Sequence, residues 1–169
     1  MTRQIVLWIV NAMLVIAVAA VAAFGGWQFV AKDRPAPLPL GDNADLRRTV
    51  TETAAADAAK LLTYSAATVE QDLAAALAVT TGEFTERYRT LTEQSVIPAA
   101  RRRGITVTTT VVHAGVISIA NPETASTLLF VTQVTRANDL AEPTTQASSL
   151  RVDLKKVDGS WLVERLDAQ

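Results

Sequence analysis

The chain opens on an apolar run, residues 5–30, that contains no charged residue. After it the pattern becomes polar and periodic. Leu46, Val50, Ala54, Ala58 and Leu61 recur at helical spacing, with Asp45 expected as the N-cap. Val69, Leu73 and Leu77 repeat every four residues, with Thr68 expected as a cap and Gly82 as a stop. Phe84, Tyr88 and Leu91 form a third stripe. That segment is expected to bend or restart at Pro98, which lacks the donor for an interior helical bond, and to close at Gly104.

From residue 105 the period changes. "ITVTTTVVHAGVISIA" is rich in β-branched residues and too long to stay regular, so a bulge or bend is expected at Gly115. "NPET" reads as a turn, "ASTLLFVTQVTRA" as a second strand and "NDLAEPTTQ" as a longer loop. In the next strand Leu150, Val152 and Leu154 alternate with Arg151, Asp153 and Lys155. Asp158-Gly159 marks a tight hairpin, and "SWLVERLD" is the last strand. Helices first and an antiparallel sheet afterwards predict an α+β domain, with about three helices on one face of a curved, mostly antiparallel four-stranded sheet.

The apolar run decides where this domain works. About 20 apolar residues cross a bilayer, whereas a signal-peptide core is shorter. The run exceeds both, and Trp8 and Trp27 sit near its ends, where interfacial rings settle. Ala20-Val21-Ala22 fits a cleavage site, but Phe24, Trp27, Phe29 and Val30 keep the following sequence apolar. An uncleaved anchor is the expectation. Ala19, Ala23 and Gly26 would allow close approach of a neighbouring helix, and Asn11 would either bond to that helix or reach the headgroups. Basic residues on the two sides nearly balance. The short tail without an acidic group favours a cytoplasmic N-terminus and a periplasmic domain, making this a single-pass protein of the cytoplasmic membrane. Alternating Pro35, Pro37 and Pro39 read as an extended spacer. The expected organisation is tail and anchor over 1–31, linker over 32–44 and α+β domain over 45–169.

Composition removes several classes of function. The 169 residues carry a formal charge of −1, with no footprint for nucleic acid. There is no cysteine, hence no disulfide, thiolate metal site or thiol nucleophile. His113 is the only histidine, so a metal site built on several histidines is excluded. No phosphate-binding loop, dinucleotide fingerprint or G-x-S-x-G turn occurs. No cofactor and no catalytic set are therefore expected. The one basic run, Arg101-Arg102-Arg103, either complements a helix C-terminus or touches an anionic partner. Tyr64, Tyr88, His113, Phe130 and Trp161 are candidates to line a pocket between helices and sheet, although such residues are more often core.

Three stretches carry a family resemblance: "LLTYSAATVEQDLAAALAVTTGEFTERYRTL", "VIPAARRRGITVTTTVVHAGVIS" and "VDLKKVDGSWLVERLD". With the anchor they resemble the Mce-associated membrane proteins of actinobacteria, whose outer domain is similar to the nuclear-transport-factor-like superfamily. The resemblance implies a cone-shaped domain outside the cytoplasmic membrane. It also implies a non-catalytic accessory subunit of an Mce complex, which imports fatty acids or sterols with a two-subunit permease, an ATPase and a tube of Mce proteins. The implied partners are the permease, the Mce subunits and the bilayer. Two alternatives stay open: a lipid-binding or enzymatic pocket, and a scaffold of another envelope complex, such as the similarly built inner-membrane components of type IV secretion systems.

Overall fold

A computed structural model describes residues 43–169 of the chain. The expected anchor, most of the linker, and Trp8, Asn11, Ala19, Ala23, Gly26 and Trp27 lie outside the described residues. Among the described residues no helix is long and apolar enough to cross a membrane.

The first helix, α1 (Ala44–Leu62), buries Val50, Ala54, Ala58 and Leu61, as its spacing predicts. Its N-cap is Asn43 rather than Asp45: the Asn43 side chain accepts from the Leu46 N–H at 3.0 Å. Asp45, two residues further on in the first turn, instead pairs with Arg48 at 2.9 Å. The last carbonyls of a helix have no partner within it. Here Tyr88 Oη donates to the Leu61 carbonyl at 2.8 Å and Thr109 Oγ1 donates to the Leu62 carbonyl at 2.9 Å.

In α2 (Val69–Leu77), Val69, Leu73 and Ala76 are buried. Thr68 occupies the cap position without a capping bond. Asp72 ties the entry instead, accepting from the Ser65 N–H at 3.0 Å and from Thr68 Oγ1 at 2.7 Å. Gly82 does not stop this helix. The chain leaves it after Leu77 because residues 79–81 pair with the last strand: the Val163 N–H donates to Val79 and the Thr81 N–H to Val163. Gly82, at φ +62°, instead opens α3 (Gly82–Leu91).

A π-helical turn, Thr92–Val96, joins α3 to α4 (Ile97–Arg103). Pro98 sits in the first turn of α4, where its missing N–H costs nothing, and the widened turn before it makes room for the ring. Gly104 ends α4 in the left-handed region at φ +61°. A Cβ there would meet the Asn138 side chain at 2.6 Å. The arginine run is mostly tied internally, with Arg101 to Glu70 and Arg103 to Asp139, both at 2.8 Å.

The sheet is an antiparallel meander in the order β1 (Thr106–Asn121), β2 (Thr124–Arg136), β3 (Thr144–Val157) and β4 (Ser160–Ala168). Asp158 and Gly159 turn the last hairpin at φ +49° and +83°. Leu129, Val131, Leu150, Val152, Leu154 and Val163 fill the face covered by the helices. Burial of each such side chain is worth roughly 1.5–3 kcal/mol. The small side chains of Ala54 and Ala58 let α1 lie close against this layer.

Candidate functional site on the outer face of the sheet

β1 has 16 residues and β2 has 13, and the excess is absorbed by three register shifts. These fall at Val112, Ile117 and Ala120, each of which stands between two paired residues without a partner of its own. Gly115 is not a bulge. It pairs in register with Leu128, while the bulges flank it. The core-facing positions of β1 therefore run Val107, Thr109, Val111, Ala114, Val116 and Ile119, a period of two lengthened to three at each of the first two bulges.

The bulges have a consequence on the opposite face. Val112 and Ile117 are 54% and 53% exposed, and Phe130 on β2 is 48% exposed. Ile117 and Phe130, together with Leu128, line the groove at Gly115. A Cβ at Gly115 would meet nothing within 4 Å, so the missing side chain leaves a notch. The groove here has a volume of about 300 Å³ and is lined by His113, Ala114, Gly115, Val116, Ile117, Leu128 and Phe130. Of these only His113 has a polar side chain. The nearest charges cancel locally: Arg151, opposite Leu128, pairs with Asp153 at 3.0 Å. Exposed apolar side chains grouped this way mark a surface that docks another molecule.

The five pocket candidates from the sequence do not share one cavity. His113 and Phe130 are cross-strand neighbours on the outer face. Tyr64 follows α1, where its N–H and carbonyl both bond to Val107 at 3.0 and 2.8 Å. Tyr88 is buried on α3. Burial, and then the neighbouring Tyr64, push its phenol far above the usual range, so it acts as a hydrogen-bond donor to Leu61 and not as a base. Trp161 is buried in β4, with Lys156 Nζ 5.8 Å from its ring centre. Among the described residues no three His, Cys, Asp or Glu side chains are placed to hold a metal ion.

Sequence reasoning expected a bulge in this strand but placed it at Gly115 and missed Val112 and Ile117, because the length of a strand does not say which residues are inserted. It also missed Asp57, an acid on the buried face of α1. Desolvation pushes its carboxyl above the usual range, with Lys60 opposing the shift.

No family model matches the sequence. The uncharacterized protein Rv1362c of Mycobacterium tuberculosis is 33% identical over 162 residues, spanning 96% of this chain and 72% of that protein. An outer membrane protein of the same organism, Rv1973, is 39% identical over 107 residues, or 63% of this chain and 66% of its own length. Among solved structures, an IcmL-like type IV secretion system protein from Legionella pneumophila aligns with a TM-score of 0.62 at 11% identity. It covers 73% of this chain and 91% of its own. The periplasmic domain of DotI aligns equally well, with a TM-score of 0.62 at 14% identity over 72% of this chain and 94% of its own. At such identities these likenesses show a shared fold, the nuclear-transport-factor-like arrangement of helices on a meander sheet.

Proposed function

We propose that the chain, which belongs to the same family as Rv1362c of Mycobacterium tuberculosis, is a non-catalytic, membrane-anchored accessory subunit of an Mce lipid-import complex, the role implied by its resemblance to the Mce-associated membrane proteins. The apolar outer face of the sheet carries the reading. Ile117, Leu128 and Phe130 line an open notch at Gly115, and Val112 adds a further exposed apolar side chain on the same strand. A surface of this kind suits docking, and His113 is the one polar side chain in its groove. The anchor, read from the apolar run 5–30, would hold the domain beside the permease, and the outer face would take up an Mce subunit.

A second reading follows from the fold itself, which the IcmL-like protein and the DotI periplasmic domain share. In it the chain is a scaffold of another envelope machine and uses the same face.

One experiment separates them. The full chain, tagged at its C-terminus, is extracted from its own membrane in mild detergent, and the copurifying proteins are identified beside its intact mass. Permease and Mce subunits, retained by an uncleaved chain and lost from Gly115→Leu, are the expected result. Subunits of a different machine would establish the second reading. A chain recovered alone, beginning after Ala22, would defeat both.

A further inference from the structure

The face of the sheet turned away from the helices carries a charge pattern with a symmetry of its own. Two neighbouring rows cross all four strands. One runs Gly115, Leu128, Arg151, Asp167, and the next runs Ser118, Ser126, Asp153, Arg165. On β3 and β4 these rows set four charges at the corners of a rectangle, and the sign alternates from corner to corner. Arg151 and Asp153 pair with each other at 3.0 Å. Arg165 and Asp167 are exposed, and among the described residues neither is in an ion pair.

An alternating rectangle is complementary to itself. A second copy is turned over onto the first about a two-fold axis that crosses the strands between the two rows. Every charge then meets its opposite: Arg165 faces Asp167 of the second copy, Asp167 faces Arg165, and Arg151 faces Asp153. β1 obeys the same axis. Ile117 is the inserted residue between these rows, without a partner between Val116 and Ser118, and it is 53% exposed. The axis therefore passes at Ile117, which meets its own copy there, beside the open notch at Gly115. A knob beside a notch on one strand, and a lone cation beside a lone anion on another, suit an isologous contact, in which residue i meets j and j meets i. The size suffices. Each outward position of a sheet covers roughly 33 Å², and about 15 such positions overlap, giving about 500 Å² per copy. The total of about 1,000 Å² is the lower bound of a specific interface.

We propose that the outer face binds a second copy of this chain about that axis, with the two sheets stacked face to face and Arg165 of each copy paired with Asp167 of the other. Stacked sheets lie about 10 Å apart, a gap that an arginine and an aspartate side chain bridge together. A contact of this size is expected to dissociate on the order of micromolar concentration. It covers the Gly115 notch, so a chain paired with itself cannot hold an Mce subunit there at the same time. The pair is the form of the chain without that partner, and either reading can fail without the other.

The test is native mass spectrometry of the full chain released from mild detergent, over roughly 1–100 μM, a range that brackets a micromolar dissociation constant. The wild type is expected to pass from monomer to dimer within it. Arg165→Asp sets two carboxylates against each other in each contact, and Asp167→Arg sets two guanidiniums. Each variant alone is expected to stay monomeric, its dissociation constant raised at least about tenfold. Mixed in equal amounts, the two variants restore an opposite charge in both contacts, and a heterodimer is expected at the wild-type level. Such mutual rescue requires that the two residues meet across a two-fold axis. Each reversal also faces a like charge on β3 of its own chain, so the melting temperature is measured beside it. If that falls, Ile117→Asp serves as the second variant, expected to abolish the dimer by bringing two carboxylates together at the axis. A wild type that stays monomeric throughout, variants that still form dimers, as a pair held by other surfaces would, or a mixture of folded variants without heterodimer would each overturn the proposal.

Discussion

Asp57 stands where the helix pattern calls for an apolar side chain. Val50, Ala54, Asp57, Ala58 and Leu61 are the buried positions of α1. Because burial raises the folded-state pKa above the unfolded value, the linkage has a definite sign. The neutral acid is tolerated, and the stability associated with it is fully present below the unfolded pKa. That stability is lost as pH rises through the folded value, leaving a charged, desolvated carboxylate at neutral pH. Asp57→Asn should therefore raise the melting temperature at pH 7, and the gap to the wild type should close as the solution is acidified into the carboxylate range. A gap that stays constant down to that range would show that the charge is not the cause. Tyr88→Phe works in the other direction. It leaves the Leu61 carbonyl without its donor and should cost about 1 kcal/mol by chemical denaturation. Gly104→Ala combines a left-handed φ with a contact at Asn138, and about 2 kcal/mol is expected. Adding Asn138→Ala should recover only the part due to contact.

At the scale of elements, most of the fold was legible where a period held. The stripe of α1, the alternation of β3 and the Asp158-Gly159 hairpin could all be read, because one face of each element is buried and the other is wet. Pro98 and Gly104 were legible because each has a stereochemical constraint that few backbones satisfy. Boundaries were harder. Asp45 and Asn43 are both good capping residues, and only the geometry shows which one meets the Leu46 N–H. Asn43→Ala should cost about 1 kcal/mol. Asp45→Ala should cost only a few tenths, because it loses an exposed ion pair. Equal losses would mean that both residues support the helix start. Gly82 was misread because a glycine after an apolar stretch suits either the end of one helix or the beginning of the next. The choice is made by β4, which draws residues 79–81 into pairing.

At the scale of the whole molecule, the candidate site was legible only in His113 and Phe130, and not as a site. Its shape comes from register, which depends on two strands at once. The length of β1 announces a bulge, but only pairing with β2 shows that Val112 and Ile117 are among the residues left over. The same geometry gives a clean separation of stability from docking. Leu129→Ala, in the fully buried layer, should cost about 3 kcal/mol. Gly115→Leu should leave the melting temperature near that of the wild type, since nothing crowds a side chain there, while filling the notch. A large drop in its melting temperature would show that the position serves the fold.

β1 is also the rim of the sheet. On its outer side, bonds to the rest of the domain are made by Val107, which exchanges two with Tyr64, and by the Thr109 N–H, which donates to Thr63 Oγ1. Beyond that the strand runs on to Asn121 with β2 as its only partner strand among the described residues. A long straight rim of open amides is a template on which other chains can add and grow. The three inserted residues interrupt it at irregular intervals and spoil the match for any regular strand. Deleting Val112, Ile117 and Ala120 together would give a strand that matches β2 residue for residue. Such a chain should precipitate or form fibrils at concentrations where the natural one stays clear in solution.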